Sequence, residues 1–375
     1  MSDSAAIPTV GGGAACATGW DLERLKEPVD QLLTAFLEGK TARRAALLPD
    51  LAGPLSQFVA AGGKRIRPVL AMVAWHAAGA HGTPRAAHHL AAALELFHAF
   101  ALIHDDVMDR SDTRRGHPTI HHSQGALHTH RIPAPGRAFP SRAAARFGEG
   151  AAILIGDMAL IWSDELIHTG GLTPAQLGRI LPLLDEMRSE VILGQYLDLE
   201  AVLGRPGDVE AALTVIRYKT AKYTIERPLH LGAALAGADQ RVLDALSAYA
   251  IPLGEAFQLR DDLLGVFGNP AVTGKPALDD LREGKATVLV ALAFQSATRV
   301  QAQRLRQLLG RPSLTEEQAE AARHIIDDTG ARTTVENMIT ERGEQALAAL
   351  ESAPVEPAAL TTLRRLTDTL VRRTA

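Results

Sequence analysis

Residues 90–106, LAAALELFHAFALIHDD, space apolar side chains three and four apart and then stop on a pair of aspartates. That spacing is the helical period, and a helix so apolar has to be buried on most of its surface. The pattern returns in LRRLTDTLVRR near the other end, Ala and Leu dominate between, and β-branched runs with period two are scarce. The chain therefore reads as all-α. With 375 residues, 46% of them hydrophobic, it can bury a large core without disulfides. No repeat of solenoid length is visible. Helical patterns of like composition resume on both sides of every gap, so one large helical bundle over residues 19–375 is expected rather than two domains.

Residues 1–18 are expected to be a disordered tail, since they lack the basic leader and continuous apolar stretch of a secretory signal. Helix starts are expected at Asp21, at Thr173-Pro174 and at Ser313, where Glu316 would close a capping box. Residues 121–146 mix His, Pro, Gly and Arg without periodicity and read as a flexible insertion, and 269–284 as a polar loop. A formal net charge of −4 gives no electrostatic reason to expect nucleic acid. Apolar stretches such as GAAILIGDMALIW are broken by charge, so no membrane span is expected. The single cysteine, Cys16, allows no intramolecular disulfide and suits a cytoplasmic protein.

His104-Asp105-Asp106-Val107-Met108-Asp109 closes the apolar helix. At about 100° per residue, Asp105 and Asp109 fall about 40° apart, with Asp106 within about 100° of both. Carboxylates this close raise one another's pKa, which makes sense if divalent cations sit among them; hard oxygen ligands suit Mg²⁺ bridging to a diphosphate. Read as a solvated helix end instead, the aspartates would oppose the dipole. A second pair, Asp261-Asp262, ends FQLRDDLLG, with Gly265 where the first motif has Asp109. Basic groups supply the counterpart: Lys64 and Arg67 after Gly62-Gly63, then Arg114-Arg115, Lys219, Lys222, Lys275 and Lys285. A third acidic run, Asp279 to Glu283, reads as a helix start; lending the carboxylate that Gly265 lacks is its other reading. His98, seven residues before Asp105, would by itself be a core histidine. His117, His121, His122, His128 and His130 have no cysteine beside them and do not read as a zinc site.

GGKRIRP, HDDVMDRSDTRRG, YKTAKYT, FQLRDDLLG and GKPALDDLREGK, in that order, resemble the trans-isoprenyl diphosphate synthases, from about residue 25 to the C-terminus. The resemblance implies a helical bundle around a central cavity, in which Asp105, Asp106, Asp109, Asp261 and Asp262 hold Mg²⁺. It implies that Lys64, Arg67, His98 and Arg115 bind isopentenyl diphosphate. Arg114, Lys219, Thr220, Gln258 and Lys275 would bind the allylic partner: dimethylallyl, geranyl or farnesyl diphosphate. Asp105, Asp106, Asp109, Arg114, Lys219 and Asp261 would carry the ionisation that starts the reaction. A homodimer is implied as well.

Gly265 departs from the family's second DDxxD pattern, and residues 121–146 have no counterpart in it. Phe100 lies about 140° from Asp105 on the helical wheel, so only the resemblance makes it the floor of a product pocket. With Ala101 beside it, the pattern resembles enzymes that make geranylgeranyl diphosphate, farnesyl diphosphate being the near alternative. A class I terpene cyclase would carry an N-D-x-x-S-x-x-x-E motif, which is absent. A silent regulatory subunit would have lost acidic residues from the first motif, and all three stand.

Overall fold

Helices α1 (Leu22–Arg44), α2 (Pro49–Ala60), α3 (Ile66–Ala77) and α4 (Arg85–Met108) open the fold. The computed structural model describes residues 19–44, 49–80, 84–131, 141–204, 206–268 and 278–373, and the expected tail at 1–18 lies outside them. By length and composition α4 could cross a membrane. Here it is the core helix instead: Leu90, Leu94, Phe97 and Ile103 are buried on it against α1, α3 and α6.

A short hairpin of β1 (Thr113–Arg114) and β2 (His117–Pro118) follows α4. Next come α5 (Ile120–Arg131), α6 (Ser141–Thr169), α7 (Pro174–Leu203) and α8 (Val209–Val215), which runs into a π-helix, π1 (Ile216–Glu226). Beyond it lie α9 (Arg227–Ala236), α10 (Gln240–Phe267), α11 (Asp279–Glu283), α12 (Val288–Ser296), α13 (Arg299–Leu308), α14 (Glu316–Asp328), α15 (Ala331–Ala349) and α16 (Pro357–Val371). One apolar cluster is built on α4, α6 and α7, a second on α10, α12, α14 and α15. A third, with Leu70, Val73, Leu229, Tyr249 and Leu363, joins α3, α9, α10 and α16 between them. The all-α bundle expected from periodicity is present.

Two local expectations are corrected. Residues 121–131 lie in α5 and 141–146 in the first turns of α6, so only 132–140 stay outside the described part. The helix forms because Gly125 and Gly148 let α5 and α6 meet backbone to backbone. A methyl on Gly125 would sit 3.0 Å from the Ala144 carbonyl oxygen, and one on Gly148 would overlap that of His121. Such packing outweighs weak propensity. Secondly, the cap expected at Ser313 falls two residues later, where Thr315 and Gln318 form the reciprocal box. Asp21 and Thr173 cap as expected.

Candidate active site

The acidic end of α4 faces π1 and α11. Lys219, on π1, donates to Asp105 at 3.2 Å and to Asp198 of α7 at 2.6 Å. Lys285, just past α11, lies 3.3 Å from Asp109. Arg114, on β1, forks onto Asp106 through Nε at 2.7 and 2.9 Å and reaches Asp105 at 3.6 Å. Burial would raise the pKa of Asp105, but Lys219, Lys285 and Arg114 outweigh it and hold it below the usual carboxylate range. Asp109 goes the other way, pushed up by burial and by the charge of Asp105.

The helix opposite is α10. Its Asp262 is buried, and burial pushes its pKa up to about 7, against the hydrogen bond it accepts from Gln258 Nε2 at 2.8 Å. Gln258 in turn accepts from Thr220 Oγ1 at 2.7 Å. Asp261 pairs with Arg373, which follows α16 and also lies over the Phe257 ring at 4.1 Å. Burial and the Arg260 charge bring Arg373 down to about 10. These two rims, with Asp280, Glu283 and Lys285, line a cavity of about 410 Å³.

An adjoining cavity of about 290 Å³ shares Lys64, Asp105, Lys219, Gln258 and Asp261 with the first and adds Arg67, His98, Arg115, Thr220 and Tyr223. The turn before α3 and the hairpin after α4 are clipped together by Arg115, which donates to the Gly62 carbonyl. Arg67 donates to Thr224 at 2.6 Å and lies 4.2 Å from the Tyr223 ring centroid. His98 meets the Tyr223 hydroxyl at 3.3 Å; burial and four surrounding arginines, 67, 114, 115 and 65, keep it neutral. Lys64 is lowered by burial and by Arg373. Cations crowded so that they depress one another form a site for an anion. Neighbouring Arg65 is tied to Glu95 at 2.5 Å and Asp30 at 2.8 Å and serves structure instead.

The π-helix carries Lys219, Thr220, Tyr223 and Thr224, all of which line these walls. Its wider turn fits because α7 and α10 approach it on glycine: methyls on Gly194 and Gly254 would fall 2.7 Å from the Lys219 Cα and the Ala221 Cβ. Arg65, Arg110 and Arg115 hold left-handed backbone, with φ of 48°, 56° and 54°.

The polyprenyl synthetase family model matches residues 49–326, most of the chain. The chain belongs to that family. A geranylgeranyl pyrophosphate synthase from Corynebacterium glutamicum, solved with isoprenyl diphosphate and magnesium, is 40% identical, with a TM-score of 0.88 over 94% of this chain and 100% of that one. The geranylfarnesyl diphosphate synthase of Aeropyrum pernix is 33% identical over 337 residues, 88% of this chain and 96% of its own. A farnesyl diphosphate synthase of Mycobacterium tuberculosis is 34% identical over 273 residues, 72% of this chain and 68% of its own. This polyprenyl synthetase is a trans-prenyltransferase.

Its carboxylates fit Mg²⁺. Among the described residues no three acidic or histidine side chains converge into a ready-made cage. Mg²⁺ does not need one, because it keeps several waters and takes one or two carboxylates together with substrate phosphates. Asp105 and Asp109 face Asp261 and Asp262 across the cavity in the required form. Asp106 does not join them: it is 1% exposed, absent from the cavity wall and held by Arg114. The wheel could not foresee this, since the Arg114 fork comes from the hairpin. Arg114 is correspondingly committed to Asp106, although it still touches the wall.

Ala101 lines the basic cavity, whereas Phe100 faces away, its ring 5.3 Å from Phe97 and 4.7 Å from His104. Lys275 lies outside the described residues. Sequence reasoning missed Asp198, which accepts from Lys219 behind the wall, and Gln195 and Arg373 on the walls themselves. The first two had a signal, a glutamine and an aspartate three apart on an otherwise apolar stretch of α7. Arg373 had none.

Proposed function

We propose that this trans-prenyltransferase joins isopentenyl diphosphate to dimethylallyl, geranyl and farnesyl diphosphates, with Mg²⁺, and releases geranylgeranyl diphosphate. The observation that carries the reading is the pairing of two cavities: an acidic one between α4 and α10 and a cation-lined one beside it, sharing the Asp105 and Lys219 wall. Lys64, Arg67 and Arg115 hold the isopentenyl diphosphate, with neutral His98 as a hydrogen-bonding rather than charged partner. Lys219, Thr220 and Gln258 orient the allylic diphosphate. Mg²⁺ on Asp105, Asp109, Asp261 and Asp262 supplies the charge that stabilises the departing diphosphate. The allylic cation so formed is met by the alkene held next door, and the tertiary cation that results loses a proton to the released diphosphate, which leaves the lengthened allylic diphosphate; no side-chain nucleophile is required.

The chain grows past Ala101, one turn below Asp105, beside Leu102 and Val191. The small Ala101 and the likeness to a geranylgeranyl synthase favour twenty carbons. The likeness to a farnesyl synthase keeps fifteen as the second reading. A homodimer belongs to the same proposal, supported by exposed apolar side chains in a helical stripe on α7 (Ile192, Tyr196, Leu199) and by exposed Leu154 and Ile161 of α6. So does a cytoplasmic setting, in keeping with one cysteine in the chain.

The test is to incubate the purified protein and Mg²⁺ with isopentenyl diphosphate and each primer, then size the dephosphorylated alcohols by mass spectrometry. Linear twenty-carbon product is expected; a fifteen-carbon stop selects the second reading. No elongation with any primer would sink the enzyme reading in favour of a regulatory subunit, and hydrocarbons would point to a cyclase.

A further inference from the structure

We propose that Asp280, on α11, is the third carboxylate of the second acidic rim and stands in the place that Gly265 leaves free. The inference rests on the magnesium-dependent reading above and assigns a residue to it.

On α4 the third carboxylate, Asp109, comes four residues after Asp105. On α10 the corresponding position after Asp261 is Gly265. Nothing in the backbone calls for glycine there: the residue is inside a helix, with no left-handed φ. A glycine in a helix interior costs about 1 kcal/mol relative to alanine, so its retention asks for another reason. The reason is space. A Cβ built on Gly265 would run into the Asp280 carboxylate, 2.7 Å from its Cγ. The carboxylate absent from α10 has been replaced at the same point by one delivered from α11.

That delivery is firm. Leu281, next to Asp280, is 1% exposed and packs in the core cluster of α10 and α12. The Asp280 carbonyl accepts from the Gly284 and Lys285 amides at 3.1 and 3.3 Å, and that of Leu281 from the Gly310 amide at 2.9 Å. Asp280 thus lines the acidic cavity with Asp109, Asp261, Asp262 and Lys285. Its charge faces that of Asp262. The Lys285 ammonium, whose strongest charge partner is Asp280, balances part of that repulsion, and one monovalent cation among Asp109, Asp262, Asp280 and Glu283 leaves the cluster net negative and suited to a divalent ion. A five-residue helix has too little dipole to explain an aspartate aimed at α10 rather than at its own amides.

The assignment is tested with Mn²⁺ as probe. Free Mn²⁺ is followed by electron paramagnetic resonance as it is titrated into the full chain with inorganic diphosphate. The variants are Asp280→Asn, which keeps the shape against Gly265, and the exchange Gly265→Asp with Asp280→Gly, which returns the carboxylate to α10. Asp280→Asn is expected to weaken Mn²⁺ uptake at least about 10-fold, and the exchange to recover most of that loss. Unchanged uptake by Asp280→Asn, or an exchange variant as weak as Asp280→Asn, overturns the assignment. The wild-type protein separates the two layers of argument: if it elongates its primers while Asp280→Asn binds Mn²⁺ normally, only Asp280 is refuted. If the wild type neither takes up Mn²⁺ nor elongates, the functional reading falls and the assignment with it.

Discussion

The α4 rim and the α10 rim face each other across one cavity, yet they are charged in different ways. On α4 each carboxylate has a cation from the protein: Lys219 and Arg114 at Asp105, Arg114 at Asp106, Lys285 at Asp109. On α10 the outer carboxylate, Asp261, has Arg373, while Asp262 has an amide and a pKa near 7. On the first rim Asp105 is therefore held ionised by its own scaffold, although Asp109 beside it is pushed up, whereas on the second rim Asp262 ionises fully only when positive charge arrives. One helix anchors the site; the other responds to what enters it.

The largest expected effect tests which rim dominates chemistry. Asp105→Ala should lower kcat about 10³-fold and Asp261→Ala about 10²-fold, by analogy with the loss of one preorganised charge-stabilising group. Steady-state assays returning the opposite order would break the comparison. Next comes stability. Arg114→Ala takes the guanidinium away from the buried Asp106 carboxylate, which should lower unfolding free energy by roughly 3–5 kcal/mol in denaturant titrations; a loss below about 1 kcal/mol would show that the α4 rim is not held as described.

A pH effect follows. Because the folded pKa of Asp262 is raised towards 7, the native protein keeps a proton between about pH 4 and 7 that the unfolded chain has released. Stability should thus fall as pH rises through that window, by at most about 1.4 kcal/mol per unit. Asp262→Asn should flatten that slope in thermal melts, and an equal slope in both proteins would show that the carboxyl is not buried as seen. The smallest effect is Arg373→Ala: its partner Asp261 is 41% exposed, so the melt should change by less than about 1 kcal/mol.

How much was legible can be seen at particular residues. The helical class was written in a period repeated along the whole chain, and the facing acidic rims in two Asp-Asp pairs on apolar helices. What the period could not carry was anything decided by a second element. Asp106 turns from solvent to core because a hairpin brings Arg114 to it. Helix α5 forms from a Gly- and His-containing segment because α6 lies against it. Lys219 of π1 reaches the cavity while Lys222, three residues on, turns to Glu190 of α7, and nothing local in YKTAKYT announces the π-turn that carries them. Arg373 reaches Asp261 from more than a hundred residues away.

Three left-handed arginines set a price on durability. Relaxing such a backbone position with glycine is worth roughly 1–2 kcal/mol. At Arg65 the buried pair with Glu95 outweighs that gain. At exposed Arg110 nothing of comparable size opposes it. At Arg115 one hydrogen bond to Gly62, about 1 kcal/mol, roughly cancels it. Breeding this protein for heat tolerance alone would therefore guard Arg65, discard Arg110 and let Arg115 drift, although Arg115 is part of the wall of the basic cavity.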